Sequence, residues 1–452
     1  MFKAWQLPII TGLFTFLFYG TLALTLFPAD QQFAKYSQAA TQYIAQSLPP
    51  ERLLDFSPFY LYLHVVQTML FPSGSGVILF LQLVAVAGSA ALLLLLLQRF
   101  VRRSLALLGV AAYILSPGLI VYSAILEPEA FLVAFLVGFL YFLTQKGTKS
   151  WLLAGLFLAL ALAIRPSVLP LLVFVPLYFR LNLGRKEWCT AGALVLAPAL
   201  FLLVLLGVRN GLVTDSYSPL GMNPGFVFYE GNNPLSTGKS AVYPPIVGEL
   251  KDELAGHPDN PHMTYRLIAE RATGERLTGT AANRYWRQKG FNFIIDNPGL
   301  FAARLLNKSC FILHSFQRHD LYPAFTYAQR LHAVWIPSLP FALLAVLALG
   351  GMVLARHDWR QLLLLYALLA SQVVVMLLFY VSERQKLALL PGLVVFAIIA
   401  AQSLLVQNRR KQIVSGLGVV LVALLLSWPN DVMREEEHLW REIGRASCRE
   451  RV

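Results

Sequence analysis

Apolar runs of membrane-crossing length recur along almost the whole chain, and nothing else in the sequence narrows the fold so far. The hydrocarbon layer of a bilayer is about 30 Å thick, which about 20 helical residues span, and inside it every backbone N–H and C=O must be satisfied within the protein. Eleven stretches fit or approach that length: 7–27, 75–98, 104–122, 129–145, 150–164, 166–181, 189–208, 333–355, 361–381, 387–407 and 412–428. With 57% hydrophobic and 13% charged residues, the chain reads as an all-α polytopic membrane protein of about 11 transmembrane helices. The stretches 150–164 and 166–181 are short for perpendicular helices, and Pro166 either starts the second or makes the pair a broken or tilted element. The apolar stretch 58–71 is too short to cross and reads as a re-entrant or interfacial helix.

Basic residues orient these spans. Lys3, Arg99, Arg102, Arg103, Lys146, Lys149, Arg180, Arg185, Lys186, Arg356, Arg360, Arg409, Arg410 and Lys411 fall on one side, which the positive-inside rule makes cytoplasmic. Asp30, Glu127-Pro128-Glu129, the segment 209–332 and the turn 382–386 fall on the other. The net charge of +13 therefore reports topology and attraction to anionic lipid, and no nucleic-acid patch stands out. The first span lacks a small-residue cleavage site and is expected to be retained.

Five regions are expected: an N-terminal transmembrane bundle over 1–208, an extracytoplasmic loop domain over 209–332, further spans over 333–428, the start of a polar outer segment over 429–442, and a tail over 443–452. The loop domain begins rich in Gly, Asn and Pro, which favours turns, and from Met263 to Phe316 alternates as helices lying on the outer membrane face. In the first outer loop Phe33, Tyr36, Ala40, Tyr43 and Ile44 make one apolar helical face opposite Gln32, Lys35, Gln38 and Gln42. Residues Ile443 to Val452 translate a common short-read sequencing adapter, ATC GGA AGA GCG TCG TGT AGG GAA AGA GTG, so the natural chain is expected to depart from this sequence after Glu442. Removing three arginines and one glutamate with that tail lowers the charge from +13 to +11 and changes nothing above.

The chemistry-bearing residues crowd the non-cytoplasmic side. Asp30 closes the first span, where an ionised carboxylate is costly unless it faces water, protein or a ligand; the plainer alternative is a helix-end acid snorkelling into water. Glu127 and Glu129 flank Pro128 between spans three and four. Asp30 with Glu127 or Glu129 suggests a shared outer-face cavity in which one acid is the base and another positions an acceptor or a divalent metal; the alternative for the glutamates is an acid pair favoured by a helix dipole. Arg165, Arg209, Arg384 and Lys386 are basic residues on the wrong side for the positive-inside rule, which invites a phosphate ligand, with snorkelling as the alternative. Arg318-His319-Asp320 is a lesser candidate. The histidines and the three cysteines lack metal-type spacing, and no Walker loop, Gly-x-Ser-x-Gly elbow or dinucleotide fingerprint occurs.

Taken in order, the motifs resemble a known family. They are Asp30-Gln31 after span one; Glu127-Pro128-Glu129 after span three; Arg165-Pro166 after span five; and Arg209-Asn210-Gly211, with Asn223 to Pro234 (Asn232 and Asn233 included) and Thr237-Gly238. Last comes Glu383-Arg384-Gln385-Lys386 before Leu387 to Pro391. This order is similar to the GT-C integral membrane glycosyltransferases, in the branch of protein O-mannosyltransferases and the lipid A aminoarabinose transferase. The resemblance implies a bacterial inner-membrane enzyme with its active site facing the periplasm or outside. It would move a sugar from a polyprenyl-phosphate donor to a lipid, glycan or protein acceptor, beside membrane lipid and without nucleic acid. It implies Asp30 as catalytic base, Glu129 as helper, and Arg165, Arg384 and Lys386 as donor phosphate contacts. The usual Asp-Glu pair is Asp30-Gln31 here, a departure from the family pattern. A lipid-linked oligosaccharide flippase, an O-antigen-ligase-like protein or a non-catalytic scaffold are the competing readings.

Overall fold

The computed structural model describes residues 5–26, 35–48, 53–54, 56–72, 76–214, 217–219, 221, 224–237, 261–315, 339–406 and 409–427. The chain begins with α1 (Gln6–Leu26) and the shorter α2 (Lys35–Ile44) and α3 (Pro58–Leu70). It continues through α4 (Gly76–Leu97), α5 (Arg103–Ile114), α6 (Pro117–Ala124), α7 (Glu129–Leu143), α8 (Thr148–Ile164), α9 (Leu171–Asn182) and α10 (Arg185–Thr214). The middle segment holds α11 (Pro224–Gly231), α12 (Pro261–Thr273), α13 (Gly279–Asp296) and α14 (Pro298–Leu313). Then follow α15 (Phe341–Leu354), α16 (Trp359–Leu378), α17 (Glu383–Lys386), α18 (Leu390–Val406) and α19 (Arg409–Ser427). Pro58, Pro117 and Pro298 each start a helix, where a missing N–H leaves nothing unsatisfied.

This is an all-α, multi-pass membrane-type architecture, and the expected count of about eleven crossings is not confirmed by the described helices. By length and composition five described segments can span a membrane: Gln6–Thr25, Gly76–Leu97, Arg185–Thr214, Phe341–Leu378 and Glu383–Leu405. A sixth appears if α5 and α6, bent by 56°, count as one. The eleven expected stretches are all helical over much of their length, yet α7, α8 and α9 have only 15, 17 and 12 residues. Pro166 opens a single 3₁₀ turn, Pro166–Val168, that separates α8 from α9. Nor is Phe341–Leu378 one straight rod. The Tyr366 hydroxyl donates to the Met352 carbonyl at 2.6 Å, whereas fourteen residues of straight helix measure about 21 Å. The chain turns back at the 3₁₀ turn Ala355–Asp358.

Burial explains why so short a helix as α7 is apolar all round. Of its residues only Tyr141 and Phe142 are not fully buried, so it is an interior helix, packed against α4 and α8. Around it α1 packs on α4, α10 on α8, and α18 on both α5 and α15. In the first outer loop α2 buries Tyr36, Ala39 and Ala40 against α3, while Tyr43 and Ile44 of the expected apolar face stay exposed; Phe33 lies outside the described residues. The middle segment has its own small core of Phe226, Tyr265, Ile268, Ala282 and Trp286. It is anchored through Lys308, whose ammonium donates to the carbonyls of Leu377 (2.9 Å) and Phe379 (2.7 Å) and so caps the C-terminus of α16.

Close helix contact depends on small residues. A Cβ on Gly351 of α15 would lie 1.9 Å from the Phe396 carbonyl oxygen of α18, whereas one on the adjacent Gly350 would meet nothing within 4 Å. Gly351→Ala is therefore expected to destabilise the detergent-solubilised protein by about 1–3 kcal/mol through overpacking, and Gly350→Ala to leave it unchanged. Thermal unfolding of the two variants side by side checks this, and equal melting temperatures would refute the packing.

Candidate functional site

The site is built on the turn between α6 and α7. Ile125 leaves α6 in an extended conformation, the Glu127 N–H donates back to the Ile125 carbonyl (2.9 Å), and Pro128, with φ fixed near −75°, precedes α7. Glu129 is consequently the first residue of α7, where unpaired N–H groups and the helix dipole favour a carboxylate. Both glutamates are about 1% exposed.

Cations converge on them from three directions. Arg165 ends α8 in an extended conformation, as the residue before a proline must, and its guanidinium donates to Glu129 Oε1. Arg384, on α17, brings Nε to 3.8 Å from the same oxygen. Lys35, at the start of α2, places Nζ 3.0 Å from Glu127 Oε1, an ion-pair contact whose angles fall outside a good hydrogen bond. Glu127 Oε2 and Glu129 Oε2 have no hydrogen-bond partner among the described residues. Burial raises the Glu127 carboxyl above the usual carboxylate range; the Lys35 and Arg384 charges pull it down and Glu129 pushes it up. Burial likewise raises the Tyr36 phenol, reinforced by both glutamates.

These groups line a polar pocket of about 240 Å³, walled by Tyr36, Ser57, Glu127, Pro128, Glu129, Ile164, Arg165, Pro166, Ser167 and Arg384. Next to it lies an apolar groove of about 600 Å³ between α3, α8 and α10, lined among others by Pro58, Phe59, Tyr62, Leu156, Ala163, Phe201 and Leu205. The two share a wall where the Ser57 hydroxyl donates to the Ala163 carbonyl at 3.0 Å.

The structure thus brings Glu127, Glu129, Arg165 and Arg384 together and leaves other expected residues elsewhere. Lys386 is buried and faces away, its ammonium donating to Glu383 Oε1 (2.7 Å) and the His314 carbonyl (3.1 Å). Arg209 donates to the Tyr62 hydroxyl (3.2 Å), beside the apolar groove. Asn232 donates to the carbonyls of Phe228 and Leu378, and Asn233 accepts from the N–H groups of Leu235 and Ser236, so both amides serve backbone groups. Asp30 and Arg318-His319-Asp320 lie outside the described residues. Lys35, Tyr36 and Ser57 were not anticipated. A lysine on the non-cytoplasmic side is the same exception that singled out Arg165, so Lys35 was open to discovery by that argument. Among the described residues no three His, Cys, Asp or Glu side chains gather as a metal cage, and the two glutamates here already face cations.

Residues 55–208 match the family model described as dolichyl-phosphate-mannose-protein mannosyltransferase. That stretch contains Glu127, Glu129 and Arg165. No curated protein matches the chain. Among solved structures it is similar to the oligosaccharyltransferase of Archaeoglobus fulgidus in the apo form, with a TM-score of 0.46 and 11% identity, over 93% of this chain and 57% of that one. The same oligosaccharyltransferase tethered to an acceptor peptide containing the NVT sequon gives 0.44 and 13%, over 93% and 56%. Archaeal oligosaccharyltransferase AglB with an inhibitory peptide and a dolichol-phosphate gives 0.43 and 11%, over 93% and 56%. The chain spans little more than half the length of these proteins.

Because the folded-state affinity of Glu127 for a proton is raised, its contribution to stability is complete below the ordinary carboxylate range, near pH 4.3, and is lost as pH rises through the raised value. The melting temperature of the native protein relative to Glu127→Gln is expected to fall as pH is raised from that range toward neutrality. A difference that is flat or grows with pH would overturn the assignment.

Proposed function

We propose that this protein is a membrane glycosyltransferase of the GT-C type, moving a sugar from a polyprenyl-phosphate carrier to a hydroxyl-bearing acceptor at the non-cytoplasmic face. The observation that carries the reading is the polar pocket with two guanidiniums abutting a groove of lipid-chain size. The family model over 55–208, whose description names a lipid-phosphate sugar donor, supports the same class. The basic clusters on the opposite side of the spans support the orientation. The polar groups sit at helix ends rather than at mid-span, which suits interfacial chemistry better than transport.

In this reading the isoprenoid chain lies in the α3–α8–α10 groove and the phosphate enters the pocket. The acceptor oxygen attacks the anomeric carbon, its proton passes to the Asp30 carboxylate, and the bond from the anomeric carbon to the phosphate oxygen breaks with its electron pair leaving on polyprenyl phosphate. Arg384 and Arg165 stabilise that departing charge. Each guanidinium presents its N–H donors as a planar fork, a geometry that suits phosphate oxygens. Glu129 fixes both guanidiniums and Glu127 orients the acceptor. Asp30 precedes Lys35, the partner of Glu127, by five residues in sequence.

Purified protein in liposomes, given undecaprenyl-phosphate mannose or glucose with a cell-envelope extract as acceptor, should release undecaprenyl phosphate. Asp30→Asn should lower the rate by about 10²-fold or more, as loss of a general base does, with insertion unchanged. Arg384→Ala should weaken donor use more than Arg384→Lys, because lysine keeps the charge and loses only the fork. Full activity of Asp30→Asn would remove the base, and equal, unimpaired donor dependence of the two Arg384 variants would remove the phosphate contact.

A further inference from the structure

Behind the pocket a fully buried amide on a spanning helix is used at both ends. Gln82 of α4 accepts from the Tyr60 hydroxyl of α3 through Oε1. Through Nε2 it donates to the Ile125 carbonyl at 2.8 Å and the Ser123 carbonyl at 3.4 Å. Gln82, Tyr60 and Ser123 are all about 0% exposed. The two carbonyls belong to the end of α6 and to the turn that carries Glu127 and Glu129, where the chain has no helical partner for them.

Tyr60 in turn belongs to an aromatic block. Its ring stands edge-on to Tyr36 at 4.7 Å and to His64 at 4.8 Å. Tyr36 lines the pocket, and its neighbour Lys35 pairs with Glu127. A closed circuit results, running from Gln82 through Tyr60 and Tyr36 to the Lys35–Glu127 pair and back along the turn to Ile125. Within hydrocarbon surroundings a glutamine that served only as filler would be a poor choice, since an apolar side chain of the same volume carries no desolvation cost. Without it the Ser123 carbonyl would lose its side-chain donor, the Ile125 carbonyl would keep only the Glu127 N–H, and the turn would lose its register against α3.

We infer that Gln82, held by Tyr60, is a positioning residue that fixes the acidic turn against the α2–α3 layer and so sets where Glu127 and Glu129 stand during sugar transfer. The link to transfer rests on the proposed glycosyltransferase reading; the positioning itself does not.

Two variants test it. Gln82→Leu removes both sets of bonds at similar volume, and Tyr60→Phe removes only the hydroxyl, so it keeps the test alive if the first variant fails to fold. Hydrogen–deuterium exchange of the solubilised protein is expected to speed up over residues 123–131 in both variants. With undecaprenyl-phosphate mannose as donor, kcat per folded enzyme should fall about 10- to 100-fold for Gln82→Leu, the scale of an ångström-sized misplacement. Tyr60→Phe should lose less, and KM for the donor should stay within about threefold, because the phosphate-facing guanidiniums are untouched. Unchanged exchange over 123–131 overturns the positioning role whatever the activity. Faster exchange with unchanged kcat overturns its connection to transfer. A wild-type protein that transfers no sugar defeats the proposed reaction instead, and the exchange measurement still decides the positioning.

Discussion

One carboxylate oxygen holds three parts of this molecule together. Glu129 Oε1 meets the guanidinium of Arg165 and lies 3.8 Å from that of Arg384. It thereby joins the first turn of the interior helix α7 to the end of α8 and to the short helix before α18. The burial of α7 depends on this arrangement. A helix with apolar residues on every side can sit at the centre of a bundle, but its first residue is then a buried acid, and breaking a buried ion pair from one side costs about 3–5 kcal/mol because the other charge is left unpaired. With two guanidiniums converging, the carboxylate is compensated and α7 can end inside the protein.

The same constraint explains the helix lengths. A helix that spans a bilayer alone needs a full hydrocarbon thickness, whereas one enclosed by neighbours needs only partners for its ends. α7 and α8 end at the pocket, where Glu129 begins one and Arg165 finishes the other. The polar pocket is thus the common terminus of two short helices, set beside longer ones such as α4 and α10. A count of crossings from apolar runs treats every run as an independent rod, and here the interior runs are not.

Legibility of the site followed the same division. Apolar periodicity and the side preference of arginine and lysine pointed to Glu127, Glu129, Arg165 and Arg384, and these four meet in one pocket. Arg384 and Lys386 read alike in the sequence, but residues two apart on a helix point about 200° apart. Once 383–386 forms a helical turn, started by the Ser382–Gln385 capping box, they cannot share a target. Lys386 accordingly joins Glu383 in the interior. Asn232 and Asn233 misled for a different reason. Short amides bond readily to nearby backbone, and both do so here, Asn232 also tying the middle segment to the end of α16. Gln82 gave no sequence signal, since a single amide in a long apolar run has no periodicity, and only the fold shows which carbonyls it reaches.

The two glutamates, separated by one proline, end with unequal electrostatics. Glu129 has a helix N-terminus and two guanidiniums, all fixed by backbone geometry. Glu127 pairs with one lysine, itself about a third exposed, and feels the Arg384 charge from further off. A buried carboxylate in that position takes its charge state from what enters the pocket: an arriving anion raises its affinity for a proton, and a departing one lowers it. The two acids therefore have different partners, arginines at the start of a helix for Glu129 and a lysine for Glu127, and the difference follows from Pro128 placing one residue on the helix and the other just before it.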